Sequence, residues 1–182
     1  GPGTLPYQPE NVWEVVGMGT EKYAQDKGEN LYRRTLYNFW KRMAPPASLD
    51  IFNAPSREVS CVRRDRTNTP LQALVAMNDP QFIEAARNLA QRAIACGCND
   101  NDKAIGFIAE RVLNRPLKAE EKSIILASQK DLISYYTAHA EDAKKLITVG
   151  ESKPDAKLDA VPLAAWTMVC NQLMNLDEVV NK

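Results

Sequence analysis

Thr69-Pro70-Leu71-Gln72-Ala73-Leu74-Val75-Ala76-Met77-Asn78-Asp79-Pro80-Gln81-Phe82 is the stretch on which the fold turns. Thr69 can accept a hydrogen bond from the first free N–H groups of a helix. Pro70 suits the first helical position, where its missing N–H costs nothing, and Gln72 can return to complete a capping box. Asp79-Pro80 repeats the arrangement. The pattern predicts one helix through Leu71, Leu74, Val75 and Met77. It predicts a second with Phe82, Ala86, Leu89, Ala90, Ala93 and Ile94 on one face, ending near Gly97.

The same periodicity continues toward the C-terminus. Residues 102–114 carry Ile105, Ile108, Ala109, Val112 and Leu113 at helical spacing, and residues 118–137 carry Ile124, Ile125, Leu132, Ile133 and Tyr136. Residues 140–149 carry Leu146 and Ile147 and meet Gly150 as a stop. Residues 159–176 carry Leu163, Trp166, Val169, Cys170, Leu173 and Leu176, with Asp159 as cap. The stretch 151–158 is a polar loop. Several helices on short loops in about 110 residues make a helical bundle or array, so the fold class is mainly α.

The first 68 residues are less regular. Pro2, Pro6 and Pro9 make 1–10 an extended arm with Leu5 and Tyr7 as anchors. A short helix is expected at 10–16, ended by Gly17 and Gly19. Leu36, Phe39, Trp40 and Met43 at helical spacing favour a helix over 31–43, stopped by Pro45 and Pro46. Residues 44–68 read as irregular, with short extended pieces at Leu49, Ile51 and Phe52 and at Val59, Cys61 and Val62. The organisation is thus an irregular part at 1–68 and a helical bundle at 69–182, read together as one structural unit and as a fragment of a larger protein.

Composition excludes several classes. The 23 basic and 23 acidic side chains balance, which argues against a dedicated nucleic-acid binder, since such proteins carry a strongly positive face. No apolar run approaches the roughly 20 residues that span a bilayer. The opening Gly1-Pro2-Gly3-Thr4 has neither the basic start nor the apolar stretch of a signal peptide, so the chain is expected to be cytosolic or an internal piece of an exported protein. Cys61, Cys96, Cys98 and Cys170 do not form a zinc-ligand pattern, and His139 is the only histidine, so no metal or Cys-x-x-Cys-His haem site is expected here. The cysteines read as buried or free thiols, with a disulfide open in an oxidising compartment.

Two stretches are distinctive. One is Leu31-Tyr32-Arg33-Arg34-Thr35-Leu36-Tyr37-Asn38-Phe39-Trp40-Lys41-Arg42. The other is Arg57-Glu58-Val59 followed by Arg63-Arg64-Asp65-Arg66-Thr67-Asn68-Thr69-Pro70-Leu71-Gln72-Ala73-Leu74 and Asn78-Asp79-Pro80. Together they resemble a planctomycete-type C-terminal domain of unknown function found in large exported proteins. Pro6-Tyr7-Gln8-Pro9 and Asn175-Leu176-Asp177-Glu178 resemble it too. The resemblance implies an exported, periplasmic or cell-surface location and the preceding domains of a parent protein as partners. It also implies that any haem c belongs to another, cytochrome-c-like domain of that parent and not to this chain. It carries no activity with it. Lys118 departs from the resemblance, standing where a capping Thr or Ser is usual.

The candidate site is the arginine group. Between residues 31 and 66 stand eight basic residues (Arg33, Arg34, Lys41, Arg42, Arg57, Arg63, Arg64, Arg66) and three acidic ones (Asp50, Glu58, Asp65), a local excess of five. Arginine suits bidentate capture of carboxylate, sulfate or phosphate, and the helix start at Thr69 also favours anions. Arg33, Arg34, Arg57, Arg63, Arg64, Arg66 and Asn68 are therefore candidates for an anionic ligand, such as an acidic or sulfated polysaccharide. The bland reading is that these arginines pair with acidic residues of this chain or of a missing domain and pin the irregular segment in place. On either reading Arg63, Arg64 and Arg66 do not all point into solvent, and at least one makes a charge-assisted hydrogen bond to a carboxylate, a carbonyl or a bound anion. Tyr32, Tyr37 and Trp40 are candidates for a sugar platform or a docking face, against a plain role in a helix core. His139 and the pair Asp177-Glu178 read as solvated. Two functions follow as expectations: a docking module that binds an anionic or glycan ligand, or part of the active site of a cytochrome-linked carbohydrate oxidoreductase. Trp13, Tyr37, Phe39, Trp40 and Phe52 are more large apolar groups than a peripheral layer buries, which predicts an exposed apolar patch in the N-terminal third.

Overall fold

A computed structural model of the chain describes residues 2–13, 22–97 and 100–181. Eight α-helices follow in order among them: α1 Ala47–Ile51, α2 Pro70–Asn78, α3 Pro80–Gly97, α4 Asn101–Val112, α5 Ala119–Ala138, α6 Ala140–Ile147, α7 Ala160–Met174 and α8 Asp177–Val180. Extended pairing among the described residues is limited to two isolated bridges, Thr4 with Asn38 and Lys41 with Ala44. The mainly α class stands. The chain divides into compact units at residues 1–72 and 73–182.

In the second unit α7 is the hub. It packs against α3, α5 and α6, with a smaller contact to α4. Leu163, Ala164, Ala165, Trp166, Thr167, Val169, Cys170, Asn171 and Leu173 are all buried, so the helix is covered nearly all round, as its lack of a polar face requires. Alanines let α3 come close: Ala86, Ala90 and Ala93 are wholly buried in the same core as Ala164 and Ala165. Asn171 Nδ2 donates to the Ala76 carbonyl at 2.9 Å, tying α7 to α2.

The local start signals act as expected. Thr69 N–H donates to Gln72 Oε1 at 2.9 Å, and Gln72 N–H donates to Thr69 Oγ1 at 3.3 Å. Asp79 Oδ1 accepts from Gln81 N–H at 2.8 Å, and Asp159 Oδ1 accepts from Val161 N–H at 3.4 Å. Burial holds the Asp79 carboxyl above its usual range despite these N–H donors. Each such cap contributes about 1 kcal/mol. Lys118 cannot accept a bond as Thr or Ser would. The start of α5 is instead closed from inside the helix, where Glu121 Oε2 accepts the Lys118 N–H at 2.8 Å.

The first unit corrects several expectations. Residues 31–43 do not form a helix. Two 3-10 turns, Gly28–Tyr32 and Thr35–Tyr37, are followed by extended chain. The N-terminal arm takes the backbone groups a helix would have used. Thr4 N–H donates to Tyr37 O at 2.9 Å and Phe39 N–H to Thr4 O at 2.7 Å, while Thr4 Oγ1 donates to Asn38 Oδ1 at 3.1 Å. Along the arm Thr4, Pro6 and Gln8 are buried, whereas the expected anchors Leu5 and Tyr7 are only half-buried. Leu49 and Ile51 lie in a helix, α1, and not in an extended piece, because the Pro46 carbonyl accepts from both Leu49 and Asp50 N–H at its start. Val59, Cys61 and Val62 lie in an exposed loop with no strand partner. Of the helix expected at 10–16, Val12 and Trp13 are helical; Val15, Val16, Gly17 and Gly19 lie outside the described residues, as does Cys98. In the second unit α6 stops at Ile147, before Gly150.

Candidate functional site

The candidate residues all fall in the first unit, but they do not meet at one point. Arg33 reaches back to the arm, donating through Nη1 to Pro2 O at 3.0 Å, and its guanidinium lies 4.3 Å from the Tyr37 ring centroid. Arg57, with φ of 63°, lies 5.2 Å from the Trp40 ring centroid. Each stack joins one arginine candidate to one aromatic candidate by a cation–π contact. Tyr32 is 56% exposed beside them in sequence. Arg42 pairs with Glu58 at 3.1 Å, so two of the charges counted as site or scaffold neutralise each other. Such an exposed pair contributes little stability.

Arg34, Arg63, Arg64 and Arg66 stand apart. All four are exposed, and among the described residues their side chains make no hydrogen bond or ion pair. Of the partners expected for one of Arg63, Arg64 and Arg66, neither a carboxylate nor a carbonyl is supplied by the described residues. The reason is geometric. Asp65 is also exposed on the same strip, and the polar anchors of the segment are amides and a hydroxyl. Asn53 Nδ2 donates to Asp65 O at 3.3 Å and to Thr67 Oγ1 at 2.6 Å. Gln72 Nε2 donates to Thr67 Oγ1 at 2.8 Å and to Ile51 O at 2.9 Å. These amides do the pinning that the arginines were expected to do. Asn68 is exposed at the end of the strip.

The apolar side chains of this unit are exposed in number: Leu36 75%, Met43 74%, Val59 75% and Val62 103%, with Phe39 at 50%. Trp13, Trp40 and Phe52 are half-buried. Trp13 meets Tyr23 edge-on at 5.0 Å and Phe39 at 6.0 Å between centroids, and Lys41 Nζ lies 4.2 Å from its ring centroid. The Tyr23 hydroxyl donates to Pro6 O, and burial pushes its pKa well up.

Two polar assemblies in the second unit escaped the sequence reading. Arg87 is fully buried. Its Nη1 donates to Ile147 O at 2.6 Å and Val149 O at 2.7 Å, and its Nη2 to Ser152 O at 2.6 Å and Ser152 Oγ at 2.7 Å. Glu84, also buried, accepts from Glu151 N–H at 3.0 Å and Ser152 N–H at 2.8 Å and lies 3.7 Å from Arg87. The pair satisfies the carbonyls at the end of α6 and folds the following loop onto α3. A signal existed: Arg87 interrupts the apolar stripe Ile83, Ala90, Ile94. The second assembly is Arg115, which pairs with both Glu121 at 2.9 Å and Glu178 at 2.8 Å. Glu178 is thus a structural partner and not one half of a solvated carboxylate pair. His139 is exposed and stacks on Tyr135 at 4.5 Å.

Of the thiols described, Cys61 and Cys96 are exposed and Cys170 is buried, all unpaired. The described residues contain no group of three or more His, Cys, Asp or Glu side chains placed to hold a metal. None of their helices is long and apolar enough to cross a membrane. No curated protein and no solved structure matches the chain. One family's sequence model does match, over residues 1–128: PSD1, protein of unknown function (DUF1553). The matched span takes in the arm, both distinctive stretches and the helices as far as the first half of α5, so the chain belongs to the PSD1 family of proteins of unknown function.

Proposed function

We propose that this chain is a docking module within an exported, cytochrome-associated multidomain protein of the planctomycete type, and that the strip 57–66 is where a preceding domain of the parent sits. The observation that carries this reading is the composition of the strip's surface. Val59, Val62, Arg63, Arg64 and Arg66 are all exposed, and none of the three arginines has a carboxylate partner among the described residues. Exposed arginine interleaved with exposed apolar groups is the mixture that protein interfaces concentrate. An anionic glycan is the second reading. It draws on the same unpaired guanidinium groups, which bind sulfate or carboxylate bidentately, but it leaves Val59 and Val62 without a role.

The deciding experiment is amide hydrogen exchange over residues 57–66 in the isolated chain and in the full parent protein. Slower exchange in the parent is expected. Equal rates would remove the docking reading, and slowing only on addition of a sulfated polysaccharide would transfer the strip to the glycan.

A further inference from the structure

Much of the backbone of the same strip is unpaired: Glu58 N–H donates to Ser56 Oγ at 3.3 Å and the Arg63 carbonyl accepts from Cys61 Sγ at 3.2 Å, but the Arg64 and Arg66 groups are left open. Among the described residues no backbone N–H from Val59 to Arg66 donates a hydrogen bond, and each of these residues is exposed. From Arg64 to Thr69 the chain runs without a bend or helical turn. One edge of it is occupied, because Asn53 Nδ2 donates to the Asp65 carbonyl at 3.3 Å. In extended chain the N–H and C=O of successive residues point to opposite edges. With Asp65 turned toward Asn53, the N–H and C=O groups of Arg64 and Arg66 lie along the other, open edge. In extended chain, side chains two residues apart share a face roughly 6.5–7 Å apart, a spacing that puts Arg64 and Arg66 on one face and Asp65 on the other.

We propose that this edge receives an extended, acidic segment of a partner polypeptide by strand addition. The Arg64 and Arg66 backbone groups supply the ladder, and their guanidinium groups take carboxylates at alternate positions of the incoming strand. An unpaired edge is a template for pairing, and the exposed arginines give it charge complementarity. A glycan would use the guanidinium groups and leave the backbone edge open. The inference rests on the docking reading and adds the chemistry and pairing mode of the partner.

The test uses the whole chain and three probes: the peptide acetyl-Glu-Val-Glu-Val-Glu-amide, its Gln-for-Glu counterpart, and dextran sulfate. Binding is followed by NMR together with amide exchange. The Glu peptide is expected to bind about tenfold or more tighter than the Gln peptide, a difference an acidic probe should lose as salt is raised. It should slow exchange at Arg64 and Arg66 and leave Asp65 unchanged. The double variant R64Q/R66Q, whose changes are confined to exposed side chains, should keep its melting temperature and lose about tenfold or more in affinity. Equal binding of the two peptides, no slowing at Arg64 and Arg66, or the same slowing with dextran sulfate would each overturn strand addition. If the parent protein protects 57–66 while the Glu peptide does not bind, docking stands and this pairing mode falls. If neither protects the strip, both fall.

Discussion

Gly150 passes so close beneath Glu84 that a Cβ on it would overlap the carboxylate, and its backbone holds φ at 93°. Only glycine takes that conformation without strain, and only glycine leaves the carboxylate its place over the Glu151 and Ser152 N–H groups. Gly150→Ala is therefore expected to destabilise the protein by about 1–3 kcal/mol. Gly106 supplies the control. It lies inside α4, and an added Cβ meets nothing within 4 Å. Gly106→Ala should stabilise by about 0.5–1 kcal/mol. Urea denaturation of the two variants should give shifts of opposite sign; a neutral Gly150→Ala would mean the loop is not held as described.

Arg87→Leu removes a buried cation and leaves the carbonyls of Ile147, Val149 and Ser152 without their donor. It also strands the Glu84 carboxylate. The expected cost is about 3–5 kcal/mol. Glu84→Gln combined with Arg87→Leu should cost less than the sum of the two single changes, because they share one assembly. Additive losses in chemical denaturation would show that the two side chains act independently.

The Arg115 guanidinium, hydrogen-bonded to Glu121, holds that carboxyl down to about 2, with the Lys118 N–H as the next cause. A depressed carboxylate pKa stabilises the fold above the unfolded-state value of roughly 4.3. That stabilisation is lost as pH falls from there toward about 2. Arg115→Gln should therefore melt below the unsubstituted chain at neutral pH, and the gap should close across that acid window. Because these groups are only partly buried and within reach of solvent ions, added salt should narrow the gap at pH 7. A difference in melting temperature that is constant with pH would contradict the assignment.

Burial pushes the Cys170 thiol well above its ordinary pKa. Cys61 and Cys96 are exposed. In a Cys98→Ser background a thiol reagent should modify two cysteines of the native protein quickly and the third only on unfolding. Cys170 reacting at the native rate would mean that α7 is not enclosed.

Legibility in the sequence divided along the reach of the hydrogen bonds involved. Thr69 with Gln72, Asp79 with Gln81 and Asp159 with Val161 are partners two or three residues apart, so their geometry was readable from spacing. The 31–43 segment failed because Tyr37 and Phe39 bond to Thr4, more than thirty residues away. No local pattern reports that partner, and aromatic residues hold a helix only weakly. Arg87 failed for the same reason, since its acceptors lie at 147, 149 and 152. The arginine candidates were found as residue types, but their separation into two aromatic stacks, an ion pair and an exposed strip depends on tertiary placement.

The position of α7 in the chain has a consequence for biosynthesis. Helices α3, α4, α5 and α6 are all translated before the element that covers them, since the hub occupies Ala160–Met174. Until those residues emerge, the apolar stripes of four nascent helices have no common partner, and for the shorter α4 and α6 local helix formation alone is marginal. Completion of the second unit's core therefore waits until those residues have emerged from the ribosome. A chain that terminates early, before Asp159, would present a chaperone or protease with the inner surfaces of an unclosed bundle.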